Sequence, residues 1–144
     1  MGKVCAFFGH RVIGADISSQ LEQAVRTAIT NGATTFWVGG YGAFDSYAAI
    51  CVRRLKKEYP QISLDLILAY LPTGKNSLAD AYDSTIYPEG LELVPQRFAI
   101  SKRNRWIVDN CDMIIAYVRS TYGGAYAALQ SANQKGRYII NIAE

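Results

Sequence analysis

At 144 residues and 15.9 kDa the chain has the length of one ordinary domain, 1–144, which argues against an enzyme with separate cofactor and substrate lobes. Hydrophobic residues make up 50%, enough to fill a core without a disulfide or a structural metal, and this composition excludes disorder and coiled coil. A net charge of +3 is too small for the footprint of a dedicated duplex-DNA binder but leaves small anionic ligands open.

Val4 to Phe8 is an all-apolar run too short for a helix and closed by Gly9, which predicts a strand buried on both faces. From Ser19 the period changes: Leu21, Ala24, Val25, Ala28 and Ile29 recur at helical spacing. Ser19-x-x-Glu22 has the capping-box pattern, and Asn31-Gly32 is a stop. Thr35 to Val38 predicts a second strand, ended by Gly39-Gly40-Tyr41-Gly42, and Tyr47, Ala48, Cys51, Val52 and Leu55 line one face of the helix after it. Ser63 to Ala69, apolar apart from Asp65, is a third strand. The stretch from Tyr70 to Arg97 is either a functional loop packed over a site or contains a short helix near Leu78 to Asp83. Ile100, Asn104, Ile107, Val108 and Cys111 then fall at helical spacing, Met113 to Val118 is a fourth strand, Ala125 to Ala132 a helix stopped by Gly136, and Tyr138 to Ile142 a fifth strand. Cys5, Cys51 and Cys111 lie inside these apolar segments without metal-type spacing and read as reduced, buried small hydrophobes.

Strands alternating with helices predict an α/β protein: a Rossmann-like, doubly wound sheet of about five parallel strands in the order 3-2-1-4-5, with helices on both faces. Ligands of such sheets bind beyond the carboxyl ends of the strands, where strands one and four diverge. Three loops meet there: Gly9-His10-Arg11, Gly39-Gly40-Tyr41-Gly42 with Asp45, and Tyr122-Gly123-Gly124. Two are glycine-rich and open helices, so their backbone amides either approach a phosphate or merely make tight turns. His10, the one histidine, and Arg11 place hydrogen-bond donors at the same edge; a structural histidine is the alternative. Arg103 with Asn104 is the preferred contact pair of the next helix, a guanidinium for phosphate and an amide for base or ribose, while neighbouring Arg97, Lys102 and Arg105 belong partly to a solvated face. Asp45 either meets ribose hydroxyls, acts as an acid, or simply stabilises the start of its helix. Trp106 and the tyrosines of the long loop are either core lid or base-stacking surface.

These motifs together, Cys5-Ala6-Phe7-Phe8-Gly9-His10-Arg11, Gly39-Gly40-Tyr41-Gly42 with Asp45 and Ala48-Ala49, Tyr87-Pro88-Glu89-Gly90, Lys102-Arg103-Asn104 with Val108-Asp109, and Tyr122-Gly123-Gly124-Ala125, resemble bacterial proteins of the SLOG superfamily. That superfamily joins Smf/DprA DNA-processing proteins to LOG-like phosphoribohydrolases, and the resemblance implies binding of a nucleotide or nucleotide-derived signal. In the LOG motif Pro-Gly-Gly-x-Gly-Thr-x-x-Glu the glutamate position falls on Gln130 here, and Tyr126 and Ala127 replace the glycine and threonine. Sensing or sequestering a nucleotide-derived small molecule, without cofactor or metal, is therefore the expected function, and catalysis is not the expected one. N-glycosidic hydrolysis of nucleoside monophosphates, with Asp45 in place of the glutamate or with Glu89 or Glu92 next in line, and single-stranded DNA handling as in the Smf/DprA branch are the alternatives. The expected partners are a small molecule and, as an open question, a second copy, with no membrane and no nucleic acid. No signal-peptide pattern is present at Met1-Gly2-Lys3, so the expected location is the cytoplasm.

Overall fold

The chain alternates strand and helix except where β3 is followed by β4: β1 (Lys3–Gly9), α1 (Ser18–Thr30), β2 (Ala33–Val38), α2 (Gly42–Lys56), β3 (Ser63–Ile67), β4 (Ser84–Ile86), α3 (Ala99–Asn110), β5 (Met113–Tyr117), α4 (Gly124–Gln134) and β6 (Tyr138–Asn141) are the described strands and α-helices. This is a computed structural model, and it describes residues 2–71 and 81–143. The strands form one parallel sheet in the order β4-β3-β2-β1-β5-β6.

Side chains alternate across the sheet and split the core into two layers. Phe7, Phe36, Leu64 and Ile115 meet α1 and α2 on one face, and Phe8, Trp37, Ile67 and Ile114 meet α3 and α4 on the other. Phe7, Phe36 and Phe44 are almost fully buried, with Phe7 packed against both of the others, each burial contributing roughly 1.5–3 kcal/mol. All three cysteines are buried and free. Among the described residues no helix is long and apolar enough to cross a membrane.

The doubly wound order is as expected from sequence, with one strand added. β4 pairs in parallel with the outer edge of β3, Asp65 opposite Ser84 and Ile67 opposite Ile86. It lies in the stretch expected to be a loop or a short helix; of that helix, near Leu78 to Asp83, the first half lies outside the described residues, and 81–83 are not part of an α-helix. β4 has only Ile86 as an apolar residue, and its position is set from a distance: the Asp83 carboxylate accepts from the Leu64 amide at 2.7 Å, Asp83 pairs with Lys56, and Arg53 Nε donates to the Ala81 carbonyl at 2.8 Å. The remainder of the stretch makes two short 3-10 turns, Leu91–Leu93 and Gln96–Phe98, that lead into α3.

The capping box on α1 does not form. Ser19 lies inside the helix; Asp16 instead accepts from the Ser18 amide and hydroxyl, and Glu22 turns outward to Arg26 and Arg54. The Asn31-Gly32 stop is present, the Gly32 carbonyl accepting from Lys3 at the start of β1.

Candidate functional site

The carboxyl ends of β1, β2 and β5 converge on a cavity of about 280 Å³. Of the residues expected there, Gly9, His10, Arg11, Gly39, Asp45, Arg103, Asn104, Tyr122, Gly123 and Gly124 all line it. Gly40 and Gly42 do not. Gly42 has φ of +88°, and a Cβ there would lie 2.8 Å from the Arg11 Cα, so it lets the β1 loop cross over the start of α2. Gly39 does line the cavity, yet a Cβ on it would meet the Arg103 guanidinium at 2.7 Å: its smallness admits a protein side chain.

The two glycine-rich helix starts differ. At α2 the Ala43 amide donates to the Arg11 carbonyl at 2.9 Å and Phe44 to the His10 carbonyl at 3.3 Å. The β1 loop thus consumes donors that a ligand phosphate would need. At α4 the first intrahelical bond runs from Ala127 to Gly123, and among the described residues nothing accepts from the amides of Gly124, Ala125 and Tyr126. Gly124 and Ala125 face the cavity, so the open, partially positive helix end is here.

His10 Nε2 accepts from the Arg119 amide at 2.8 Å, its own amide donates to the Tyr117 carbonyl at 3.2 Å, and its ring meets Tyr117 edge-on. An imidazole accepting at Nε2 carries its proton on Nδ1. The structural alternative raised for this residue therefore applies: His10 ties β1 to the exit of β5 while also lining the cavity.

Arg103 is buried. Its Nη1 donates to the Gly39 and Ile67 carbonyls, both at 3.0 Å, its Nε to Asn104 Oδ1 at 3.0 Å, and its guanidinium lies over the Tyr41 ring. It bolts the ends of β2 and β3 to α3, and its charge sits beneath the cavity. Burial lowers its pKa, opposed by the charge of Asp45. Asn104 spends its carbonyl on Arg103 and turns Nδ2 toward Gly124, 3.9 Å from where a Cβ would lie.

Asp45 is half-buried in the first turn of α2, where its carboxylate accepts from the Tyr41 amide at 3.2 Å. Burial pushes its carboxyl up to about 6, against the lowering effect of that bond, of the Arg103 charge and of the Gly39 and Gly40 amides. It is the one carboxylate on the cavity among the described residues.

Phe7, Phe8, Ile100 and Ile107 also line the cavity and were not expected there, while Tyr41 and Ala125, within the loops placed at this edge, line it without having been singled out as site residues. The two isoleucines fell on the apolar stripe of α3 and read as core; Tyr41 was hidden between glycines. Gln130 is exposed on another face of α4, its side-chain amide donating to the Tyr126 hydroxyl, and it does not line this cavity.

No family model matches the chain, and no curated protein does. Among solved structures it is similar to DNA processing protein A from Streptococcus pneumoniae, with a TM-score of 0.69, 17% identity and 96% of this chain aligned. DNA processing protein A from Helicobacter pylori, described for its single-stranded DNA binding mode, matches with a TM-score of 0.65, 16% identity and 95% of this chain aligned. The chain spans 49% of the first protein and 63% of the second. These neighbours overturn the expectation that nucleic acid is not a partner. The small positive surplus weighed against duplex binding and single-strand handling alike, but single strands are held by a locally positive groove and by base stacking, which net charge does not report. At 17% and 16% identity, what the chain shares with these two DNA processing proteins is the fold.

Proposed function

We propose that the carboxyl edge binds single-stranded nucleic acid, with one phosphodiester seated on the open amides at the start of α4. The observation that carries this reading is their location: the amides of Gly124 and Ala125 open onto a cavity rimmed by exposed Arg11, Tyr41 and Tyr122. Tyr122 is 79% exposed and offers a ring face to a base, an interaction worth roughly 1–3 kcal/mol. The buried Arg103 charge adds attraction while its Nη1 and Nε stay bonded to Gly39, Ile67 and Asn104. Fluorescence anisotropy of a labelled oligothymidylate across a salt series tests the reading. Binding should weaken with salt by about 0.7 in log K per log unit for each phosphate engaged. If thymidine monophosphate binds as tightly as the oligomer, the ligand is a free nucleotide, as the sequence first suggested.

A second reading rests on Asp45, whose carboxyl is pushed up to about 6 at the cavity and is so suited to proton transfer. It predicts release of free base from nucleoside monophosphates, followed by chromatography and abolished in Asp45→Asn.

A further inference from the structure

Beside the cavity, α3 and α4 enclose a second groove of about 340 Å³. Ile100, Asn104 and Gly124 border both, so a single saddle separates them. Its floor is made of Val108, Ala127 and Ala128, small enough that the two helices leave space between them. Its rim carries Ser101, Ser131 and two exposed arginines, Arg97 and Arg105, and among the described residues no acidic one. Among the described residues neither arginine forms an ion pair, and the Arg97 guanidinium is held 4.8 Å above the Phe98 ring. Exposed cations, Arg105 on α3 and Arg97 on the 3-10 turn before it, beside hydroxyl donors and over an apolar floor, suit a phosphodiester with its sugar.

We infer that this groove is a second nucleotide subsite, in which Arg97 and Arg105 hold the phosphodiester adjacent to the one on α4 and so set the path of a single strand across the saddle. The inference rests on the reading that the cavity binds single-stranded nucleic acid and adds its direction of travel: over α3 and α4, not along the β2–β3 edge. Charge complementarity selects the occupant, since an acidic backbone meets two cations in a groove with no carboxylate among its described lining residues.

The test compares two double variants that remove equal charge, Arg97→Ala with Arg105→Ala, and Lys3→Ala with Lys57→Ala. The lysines lie exposed at the start of β1 and just after α2, on the opposite edge of the sheet. The probe is a labelled oligothymidylate of about twelve nucleotides, within the usual span of a single-strand site. The arginine pair should weaken binding about tenfold or more and flatten the salt slope by about 0.7, the share of the one phosphate no longer engaged. The lysine pair should change neither beyond about twofold, and Arg97→Lys with Arg105→Lys should restore most of the salt slope. If both alanine pairs behave alike while the unaltered protein binds the oligomer, the groove is not a subsite and the cavity reading stands. If the unaltered protein does not bind the oligomer, both fall together.

Discussion

The guanidinium of Arg103 donates to the main-chain carbonyl of Gly39 across 64 residues of sequence, and the same nitrogen reaches Ile67. A charge expected to meet a ligand directly therefore holds together the strand ends that frame the site. Arg103→Ala would strip partners from two buried carbonyls, each costing about 1–3 kcal/mol when left unsatisfied. Urea unfolding should show a loss of about 3 kcal/mol or more, and Arg103→Lys, with one compact ammonium in place of a planar fork, should recover only part of it. Full stability in Arg103→Ala would return the residue to a ligand-binding role alone.

Gly124 separates fold from function. A Cβ on it has room, its nearest neighbour being Asn104 Nδ2 at 3.9 Å, and its φ is not positive. Gly124→Val should leave the melting temperature within a few degrees, since surface changes away from special features cost about 0.5 kcal/mol or less. The isopropyl group, however, would stand between a phosphate and the open amides. Oligothymidylate affinity should fall about tenfold or more, comparable to losing one charge-assisted hydrogen bond. A parallel loss of stability and affinity, with binding normal in the folded fraction, would reduce this glycine to a turn former.

His10 should reveal itself through its neighbour's backbone. Replacing it with Ala removes the acceptor of the Arg119 amide, a bond worth about 1 kcal/mol. Hydrogen exchange at Arg119 should accelerate in His10→Ala while amides within β1 and β2 keep their protection. Unchanged exchange at Arg119 would show that the bond does not hold the β5 exit.

Asp45 gives the protein a pH dependence of definite sign. Its folded pKa of about 6 lies above the ordinary value of 3.8, so the folded state holds the proton more tightly than the unfolded chain. The resulting stabilisation is complete below the ordinary value and is lost as pH rises through about 6. Allowing for partial solvent exposure, unfolding free energy should fall by about 1–2 kcal/mol from acid to neutral pH through this group. Oligothymidylate should also bind more tightly below this pKa, because protonation removes a negative charge beside the cavity and a phosphodiester does not titrate there. Asp45→Asn should abolish both slopes. Slopes that persist in the variant would assign them to another group.

The alternation of short apolar runs with helical periods was sufficient, read locally, to predict the doubly wound order, the burial of Cys5, Cys51 and Cys111, and the convergence of three loops at the carboxyl edge. The burial follows from the apolar faces that periodicity reports directly, and the strand order and shared edge from the short, right-handed connections that alternating strands and helices allow. What tertiary structure alone decided depends on partners distant in the chain. Ser84–Ile86 becomes a strand only because β3 leaves an edge open and Asp83 and Lys56 hold the segment there. The glycine-rich starts of α2 and α4 look equivalent as sequence; they differ because the carbonyls of His10 and Arg11 fold back onto one and nothing described covers the other. Arg103 and Arg105 sit two positions apart on one helix, and the helical twist turns the first into the protein and the second toward solvent. A polar group's role is fixed by which donor or acceptor reaches it across the fold, and that information is not carried by its immediate neighbours in the chain.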